Sequence, residues 1–372
     1  MNQAVRAPMS VEPPVVPSLD QLRAQVQVVL DRAHDQHAEQ LAPIGTEMTA
    51  LIDPIHALLR GGKRLRAAFC YWGYRAAGGA DSDAIVQVAT AMEVFQAAAL
   101  LHDDVMDRSD TRRGRPTAHR VLAAMHREHG WDGDADRFGE AGAILAGDLC
   151  LNWTDELYST SGLPEAELRR GRAVFDLMRT QLMGGQYLDV LESVRPWESA
   201  STQDRIDRAR LVIRYKSAKY TVEQPLLIGA TAFGVDDDTR AALSEYGLAL
   251  GEAFQLRDDL LGVYGDPAAT GKPAGDDLRE GKRTVLVAHT LDTATPTQIE
   301  RFNELFGRAD LDEAGVDWLR ELVSSSGAVD ATEAMISALS AQADAALDRA
   351  TLTPEGELML RDLIGIAVAR NA

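Results

Sequence analysis

The stretch that most restricts the fold runs from about Ala84 to Asp107. Its apolar residues Ile85, Val88, Met92, Phe95 and Ala99 recur every three or four positions, the period of a single helix face. Such a helix belongs inside a protein, and other helices have to enclose it. It closes on Leu100-Leu101-His102-Asp103-Asp104-Val105-Met106-Asp107, and Arg108, Arg112, Arg113 and Arg115 follow at once. Carboxylates at a helix C-terminus oppose the helix dipole, a local cost that a bound cation would reverse.

On a helix, Asp103 and Asp107 are i and i+4 and share a face, with Asp104 about 100° away. Carboxylates this close repel by roughly a kcal/mol per pair even at high effective dielectric. A donor set of oxygens without His or Cys suits Mg2+, which binds through a few carboxylates, waters and substrate phosphates. Alone, the stretch would read as a solvated acidic helix end. A second copy changes that: Phe254-Gln255-Leu256-Arg257-Asp258-Asp259 closes another apolar helical run, and the basic loop Gly271-Lys272-Pro273 to Gly281-Lys282-Arg283 follows it. Two acidic helix ends, each followed by cations, can face across a cavity and hold metal ions against one diphosphate.

Further basic residues stand in Gly61-Gly62-Lys63-Arg64-Leu65-Arg66, where two glycines stop one helix and the next begins. Free N–H groups at a helix start beside basic side chains suit phosphate, and the spacing puts Lys63 and Arg66 on one helix face. Lys216, in Tyr215-Lys216-Ser217-Ala218-Lys219-Tyr220, sits in a mostly apolar region before Pro225. It reads either as a ligand contact or as a lysine whose stem is buried and whose head reaches water.

The rest of the chain reads as helices with short breaks. A helix starts at Ser18-Leu19-Asp20 with Ser18 as its cap, a second spans about Thr46 to Arg60, and others cover Ala141–Leu157 and Pro164–Val190. Gly184-Gly185-Gln186-Tyr187-Leu188-Asp189 reads as an interruption of the last of these, and His126–Glu140 as a loop. Residues 1–17, with four prolines, read as a disordered leader, and residues 18–372 as one all-α domain. An apolar share of 45% with only 6% aromatic residues favours helices over sheets. A formal charge of −19 argues against nucleic acid, so a diphosphate site must rest on local cations and metal. Cys70 and Cys150 read as buried free thiols. No segment has the roughly 18 to 20 uninterrupted apolar residues of a membrane span, and a cytoplasmic location is expected.

With these motifs assembled, the chain resembles the trans-isoprenyl diphosphate synthases, bacterial geranylgeranyl diphosphate synthases in particular, from about residue 20 onward. The resemblance is carried by GGKRLR at 61–66, LLHDDVMD at 100–107, RRGRPTAH at 112–119, GGQYLD at 184–189, YKSAKYT at 215–221, FQLRDD at 254–259 and TGKPAGDDLREGKRT at 270–284. It implies an all-α isoprenoid-synthase bundle around a deep central cavity, a homodimer, and head-to-tail condensation of isopentenyl diphosphate with an allylic diphosphate. By the same resemblance Asp103, Asp104, Asp107, Asp258 and Asp259 hold about three Mg2+ ions. Arg112, Lys216, Lys272 and Lys282 match positions that hold the allylic diphosphate, and Lys63, Arg66, Arg113 and Gln96 those that hold isopentenyl diphosphate. Gln186, Ser217 and Gln255 match polar residues lining the site. Two departures stand out: Gly262 replaces the last aspartate of the family's usual second motif, and Gln96 replaces a frequent histidine.

The implied product is geranylgeranyl diphosphate. Counting back from Asp103 at 1.5 Å per residue, Ala99 and Ala98 lie about 6 to 8 Å down and are too small to stop a growing chain, whereas Phe95, roughly 12 Å down, forms a floor. Farnesyl or longer products are the nearest alternatives. A class I terpene cyclase and a non-catalytic partner subunit are more distant ones.

Overall fold

The computed structural model describes residues 18–197, 200–265, 275–308 and 310–369. The leader, residues 1–17, and Lys272 lie outside them. Helix α1 (Leu19–Leu41) opens on Ser18, whose side chain accepts the Gln21 N–H while the Gln21 side chain returns to the Ser18 N–H, a capping box. Then come α2 (Met48–Leu59), α3 (Leu65–Ala76) and the central α4 (Asp83–Met106).

A two-stranded ribbon, β1 (Thr111–Arg112) with β2 (Arg115–Pro116), is followed by α5 (Ala118–Glu128), α6 (Ala135–Ser159), α7 (Glu165–Val194) and α8 (Thr202–Val212). The chain then winds as a π-helix over Ile213–Glu223, returns to α-helix in α9 (Gln224–Phe233), and enters α10 (Asp237–Tyr264). The remainder is α11 (Asp276–Glu280), α12 (Val285–Thr293), α13 (Pro296–Leu305), α14 (Glu313–Ser325), α15 (Ala328–Leu347) and α16 (Pro354–Val368). The architecture is all-α, as expected.

Helix α4 is buried against α1, α2, α3, α5, α6 and α9. Ile85, Val88, Met92 and Phe95 are each at most 1% exposed. By length and composition α4 could cross a membrane, but 72% of its apolar window is buried inside the bundle, where its apolarity serves the core. Cys70 and Cys150 are free and buried.

Three local expectations are corrected. The loop expected over His126–Glu140 shrinks to residues 129–134. Asp134 caps α6 by accepting the N–H groups of Asp136 and Arg137, and the rings of His126, Trp131 and Phe138 pack together across the connection. Gly184-Gly185 does not interrupt α7. A Cβ on Gly185 would fall 2.4 Å from the Tyr215 carbonyl carbon and 2.5 Å from the Lys216 nitrogen, so the glycine lets two helix backbones approach inside a continuous helix. The second acidic stretch does not close its helix either, because α10 runs on to Tyr264.

The π-helix had no signal in the apolar periodicity. Pro225, just after it, has no N–H for the carbonyl four residues back, and the Gln224 N–H before it bonds five residues back, to the Lys219 carbonyl.

Candidate active site

One cavity of about 780 Å3 opens between the Gly61–Arg66 turn, α4, the ribbon, the π-helix, α10 and α11. Of the residues singled out above, Lys63, Arg66, Gln96, Arg112, Arg113, Lys216, Ser217, Gln255, Asp258, Asp259 and Lys282 border it. Asp103, Asp104 and Asp107 do not; Asp103 and Asp104 pair with Arg112 and Lys216, which do.

The end of α4 is held by a tight closure. The Ser109 N–H donates to the Asp104 carbonyl at 3.0 Å and the Arg108 N–H to the Val105 carbonyl at 3.3 Å, a Schellman pattern with Arg108 in the left-handed region at φ 55°. The ribbon follows. Its two turn residues, Arg113 at φ 53° and Gly114 at φ 71°, give the turn the twist that a two-residue hairpin needs. That turn points Arg112 and Arg113 in different directions. Arg112 donates to Asp104 at 2.7 Å and to Asp103 at 3.4 Å, while Arg113 reaches the Leu58 carbonyl at 3.1 Å.

Asp103 is the hub of this side. It accepts from Lys216 Nζ at 3.0 Å and from Gln186 Nε2 at 2.9 Å, and Lys216 also bonds to Asp189 at 2.5 Å. Burial works to raise the Asp103 carboxyl, but Lys216, Arg112 and Lys282 outweigh it and hold the group at about 2. Burial and the Asp103 charge push Asp107 the other way, up to about 6. Burial would lower Lys216, yet Asp103, Asp189 and Asp107 hold it above its ordinary value.

On the far side Asp258 is half-buried and Asp259 buried, with Gln255 Nε2 donating to Asp259 at 2.9 Å. Burial, with Asp277 and Asp258 adding to it, pushes Asp259 up to about 7. The charge of Lys282 bears on Asp103, Asp107 and Asp259 alike, so both acidic helices face one space.

A second cation group lines the other end. Arg66 lies 4.2 Å over the Tyr220 ring and donates to Thr221 at 2.7 Å, while its Nε is buried without a partner. Lys63 is not on the α3 face with it, because the helix starts only at Leu65, after Arg64 in the left-handed region at φ 53°. Arg64 is buried beneath this group. It pairs with buried Glu93 at 3.4 Å and donates to Gln27 and the Leu59 carbonyl, while Glu93 accepts the Ala67 N–H at 3.0 Å. Burial, then Arg112 and Arg64, lower Arg113. Lys63, Arg64, Arg66 and Arg113 thus stand in excess over the Glu93 carboxylate, and that surplus of positive charge suits a polyanion.

Among the described residues no three His, Cys, Asp or Glu side chains converge into a closed metal site. The donors at the cavity wall and just behind it are nevertheless carboxylate oxygens, and two of these groups, Asp107 and Asp259, are pushed up by burial and like charge. That set fits a hard divalent cation such as Mg2+, which is held by one or two carboxylates with the rest of its shell from phosphates and water. Asp103, Asp104, Asp107, Asp258 and Asp259 are the residues able to hold it.

Phe95, expected as the floor, is not on the wall of this cavity. Phe95, Ala98 and Ala99 do not border the cavity; Gln96 and Leu100 do. Eight residues back from Asp103 is about 80° around the helix, whereas Gln96, seven back, is within about 20°. Phe95 instead stands edge-on behind Tyr220, at 6.4 Å between ring centres, and Tyr220 is the ring on the wall. Sequence reasoning also passed over Asp189, Arg64, Glu93, Tyr220 and Asp277. The buried Arg64–Glu93 pair spans 29 positions and left no local signal, whereas Asp189 lay inside a motif already noticed.

A family model described as polyprenyl synthetase matches residues 48–323. The chain is 34% identical over 249 residues to a geranylfarnesyl diphosphate synthase of Aeropyrum pernix, covering 66% of this chain and 71% of that one. It is also 34% identical, over 284 residues, to a geranylgeranyl diphosphate synthase of Mycobacterium tuberculosis, covering 76% and 74%. Its fold matches a crystal structure of geranylgeranyl pyrophosphate synthase from Corynebacterium glutamicum complexed with isoprenyl diphosphate and magnesium. The TM-score is 0.89 and the identity 38%, over 95% of this chain and all of that one.

Proposed function

The chain belongs to the polyprenyl synthetase family, and from that premise we propose that it joins isopentenyl diphosphate to an allylic diphosphate, with geranylgeranyl diphosphate as its main product. The observation that carries this reading is the pair of cation groups on one cavity. Lys216, Arg112 and Lys282 stand before the acidic helices, and Lys63, Arg66 and Arg113 stand at the other end. One diphosphate is the leaving group and the other stays on the product, so the reaction needs two such places.

The allylic C–O bond breaks with its electron pair leaving on the diphosphate. The isopentenyl double bond then attacks the allylic carbon, a C–C bond forms, and a proton beside the new cation passes to an oxygen of the released diphosphate, which restores an alkene. Mg2+, held by Asp103, Asp104, Asp107, Asp258 and Asp259, neutralises charge on the leaving diphosphate when bound; we propose about three ions. Lys216 and Arg112 are already oriented by Asp103, Asp104 and Asp189, so little reorganisation opposes them as charge develops. Lys282 meets the same group from α11's side, with Lys272 proposed beside it. Gln255 and Ser217 supply polar contacts at the wall, Gln186 holds Asp103 behind it, and Gln96 joins Lys63, Arg66 and Arg113 around isopentenyl diphosphate. Leu65, Leu100, Tyr220 and Phe254 keep water from the reacting carbons.

We assign product length to Tyr220 with Phe95 behind it. The 34% identity to a geranylfarnesyl diphosphate synthase keeps longer products within reach of small changes at that wall. A homodimer is proposed, supported by the exposed apolar residues Phe138, Ile144 and Leu145 on α6, and so is a cytoplasmic location.

The test is incubation of the purified chain with Mg2+, labelled isopentenyl diphosphate and each of dimethylallyl, geranyl and farnesyl diphosphate, followed by chromatography. Twenty-carbon labelled diphosphate is expected. Cyclised hydrocarbon without label would point to a terpene cyclase, and no product from the chain alone to a partner subunit.

A further inference from the structure

Gly262 stands in the last turn of α10, two residues before Tyr264, and what occupies the place of its missing side chain bears on the acidic pair one turn back. It lies one turn after Asp258, where a side chain would join the face that carries the acidic pair. A Cβ built there falls 1.9 Å from Oδ2 of Asp277 and 2.4 Å from its Cγ, so the place of that side chain is already filled by a carboxylate from α11. Asp277 is buried, at 9% exposure, and its Oδ1 accepts from Lys282 Nζ at 3.0 Å. Lys282 also pairs with Glu280 at 2.8 Å. Gly262, Asp258, Asp259, Asp277 and Lys282 all border the same cavity.

We propose that Asp277 is a positioning residue of the diphosphate pocket: seated in the space that Gly262 leaves, it completes the acidic face of Asp258 and Asp259 and holds Lys282 at the wall. The third carboxylate of this side thus comes from α11, and Gly262 is the condition for its seat rather than a gap in the motif. The inference rests on the diphosphate reading of the cavity.

The test compares the parent with Gly262→Asp, Asp277→Ala, Asp277→Asn and the double variant Gly262→Asp/Asp277→Ala. Two readouts are taken: binding of inorganic pyrophosphate with Mg2+ by calorimetry, and KM for each substrate separately. Each single substitution is expected to weaken pyrophosphate binding and raise the allylic KM about tenfold, with the isopentenyl diphosphate KM changing less than about twofold. The double variant is expected to return to within about threefold of the parent, since the new carboxylate on α10 can occupy the vacated place.

Asp277→Asn keeps the side chain's volume, so its loss is expected without a fall in melting temperature. A double variant whose loss equals the product of its singles overturns the inference, as does full pyrophosphate binding by Gly262→Asp or Asp277→Asn. A parent that neither binds pyrophosphate nor turns over removes the functional reading and this inference with it. A working parent without rescue removes this inference alone.

Discussion

The end of α4 and the last two turns of α10 bring aspartates toward one cavity from two sides, and the chain treats Asp103 and Asp259 in opposite ways. Asp103 is met by Lys216, Gln186 and Arg112 and is held at about 2. Asp259 is buried, takes a hydrogen bond from the neutral Gln255, and has the Asp277 and Asp258 charges bearing on it; it rises to about 7. Around Asp103 the first side is ionised with its cations in place, while Asp107, one turn on, is raised to about 6. The second holds back charge until a cation arrives. Substrate diphosphate and metal therefore do different work at the two ends: at α4 they must compete with pairs already formed, and at α10 they relieve a repulsion that the empty site carries.

The contrast is broken most directly at Asp103. Asp103→Ala removes the common partner of Lys216, Arg112 and Gln186, and turnover with saturating Mg2+ is expected to fall on the order of a thousandfold. Asp259→Asn should cost less, roughly ten- to a hundredfold, because the amide oxygen can still accept from Gln255 and Asp258 remains beside it. Single-turnover rates measured on both variants decide the matter. If Asp259→Asn proves the more damaging, the ranking of the two sides is inverted.

Lys216→Gln sharpens the same contrast at a smaller scale. It leaves Asp103 and Asp189 without their shared cation, and a loss in kcat of about a hundredfold is expected. Since Lys216 also acts against the rise of Asp107, half-saturation by Mg2+ should move as well. An unchanged kcat would place Lys216 outside the chemistry and leave it as a buried strut.

Much of this was legible in the sequence because it is local. The three-to-four spacing of Ile85, Val88, Met92 and Phe95 fixed α4 as a core helix, and its carboxylate ending was visible against the dipole rule. What was hidden depends on neighbours distant in the chain. Gly184-Gly185 looked like a break, since propensity says nothing of the Tyr215–Lys216 backbone packed against it. Phe95 was placed on the wall by length along the helix, while its angle around the axis turns it behind Tyr220. Gly262 looked like a missing ligand because the carboxylate filling its place arrives from fifteen positions downstream, as the numbering from Gly262 to Asp277 shows.

The smallest effect is a titration, and its sign separates the two sides once more. A carboxyl raised in the folded state binds a proton that the unfolded chain has already lost, so stability falls as pH rises between the unfolded value of 3.8 and the folded value of about 7 for Asp259. Asp103, held low at about 2, acts in the other direction and in another window: its contribution is present above 3.8 and is lost as pH falls toward 2. His37, His56 and His119, which burial lowers, add stability as pH rises toward 6.5 and would mask the Asp259 effect in the parent alone. Comparing the metal-free parent with Asp259→Asn cancels them. The variant is expected to equal the parent near pH 4 and to exceed it by on the order of 2 to 4 kcal/mol at pH 8, read as the shift in denaturant midpoint. Added Mg2+ and pyrophosphate should stabilise the parent more than the variant at pH 8, because the parent alone has a charge at that position to neutralise. A difference between the two proteins that does not change with pH would mean that Asp259 is ionised throughout, and the α10 side would then resemble the α4 side after all.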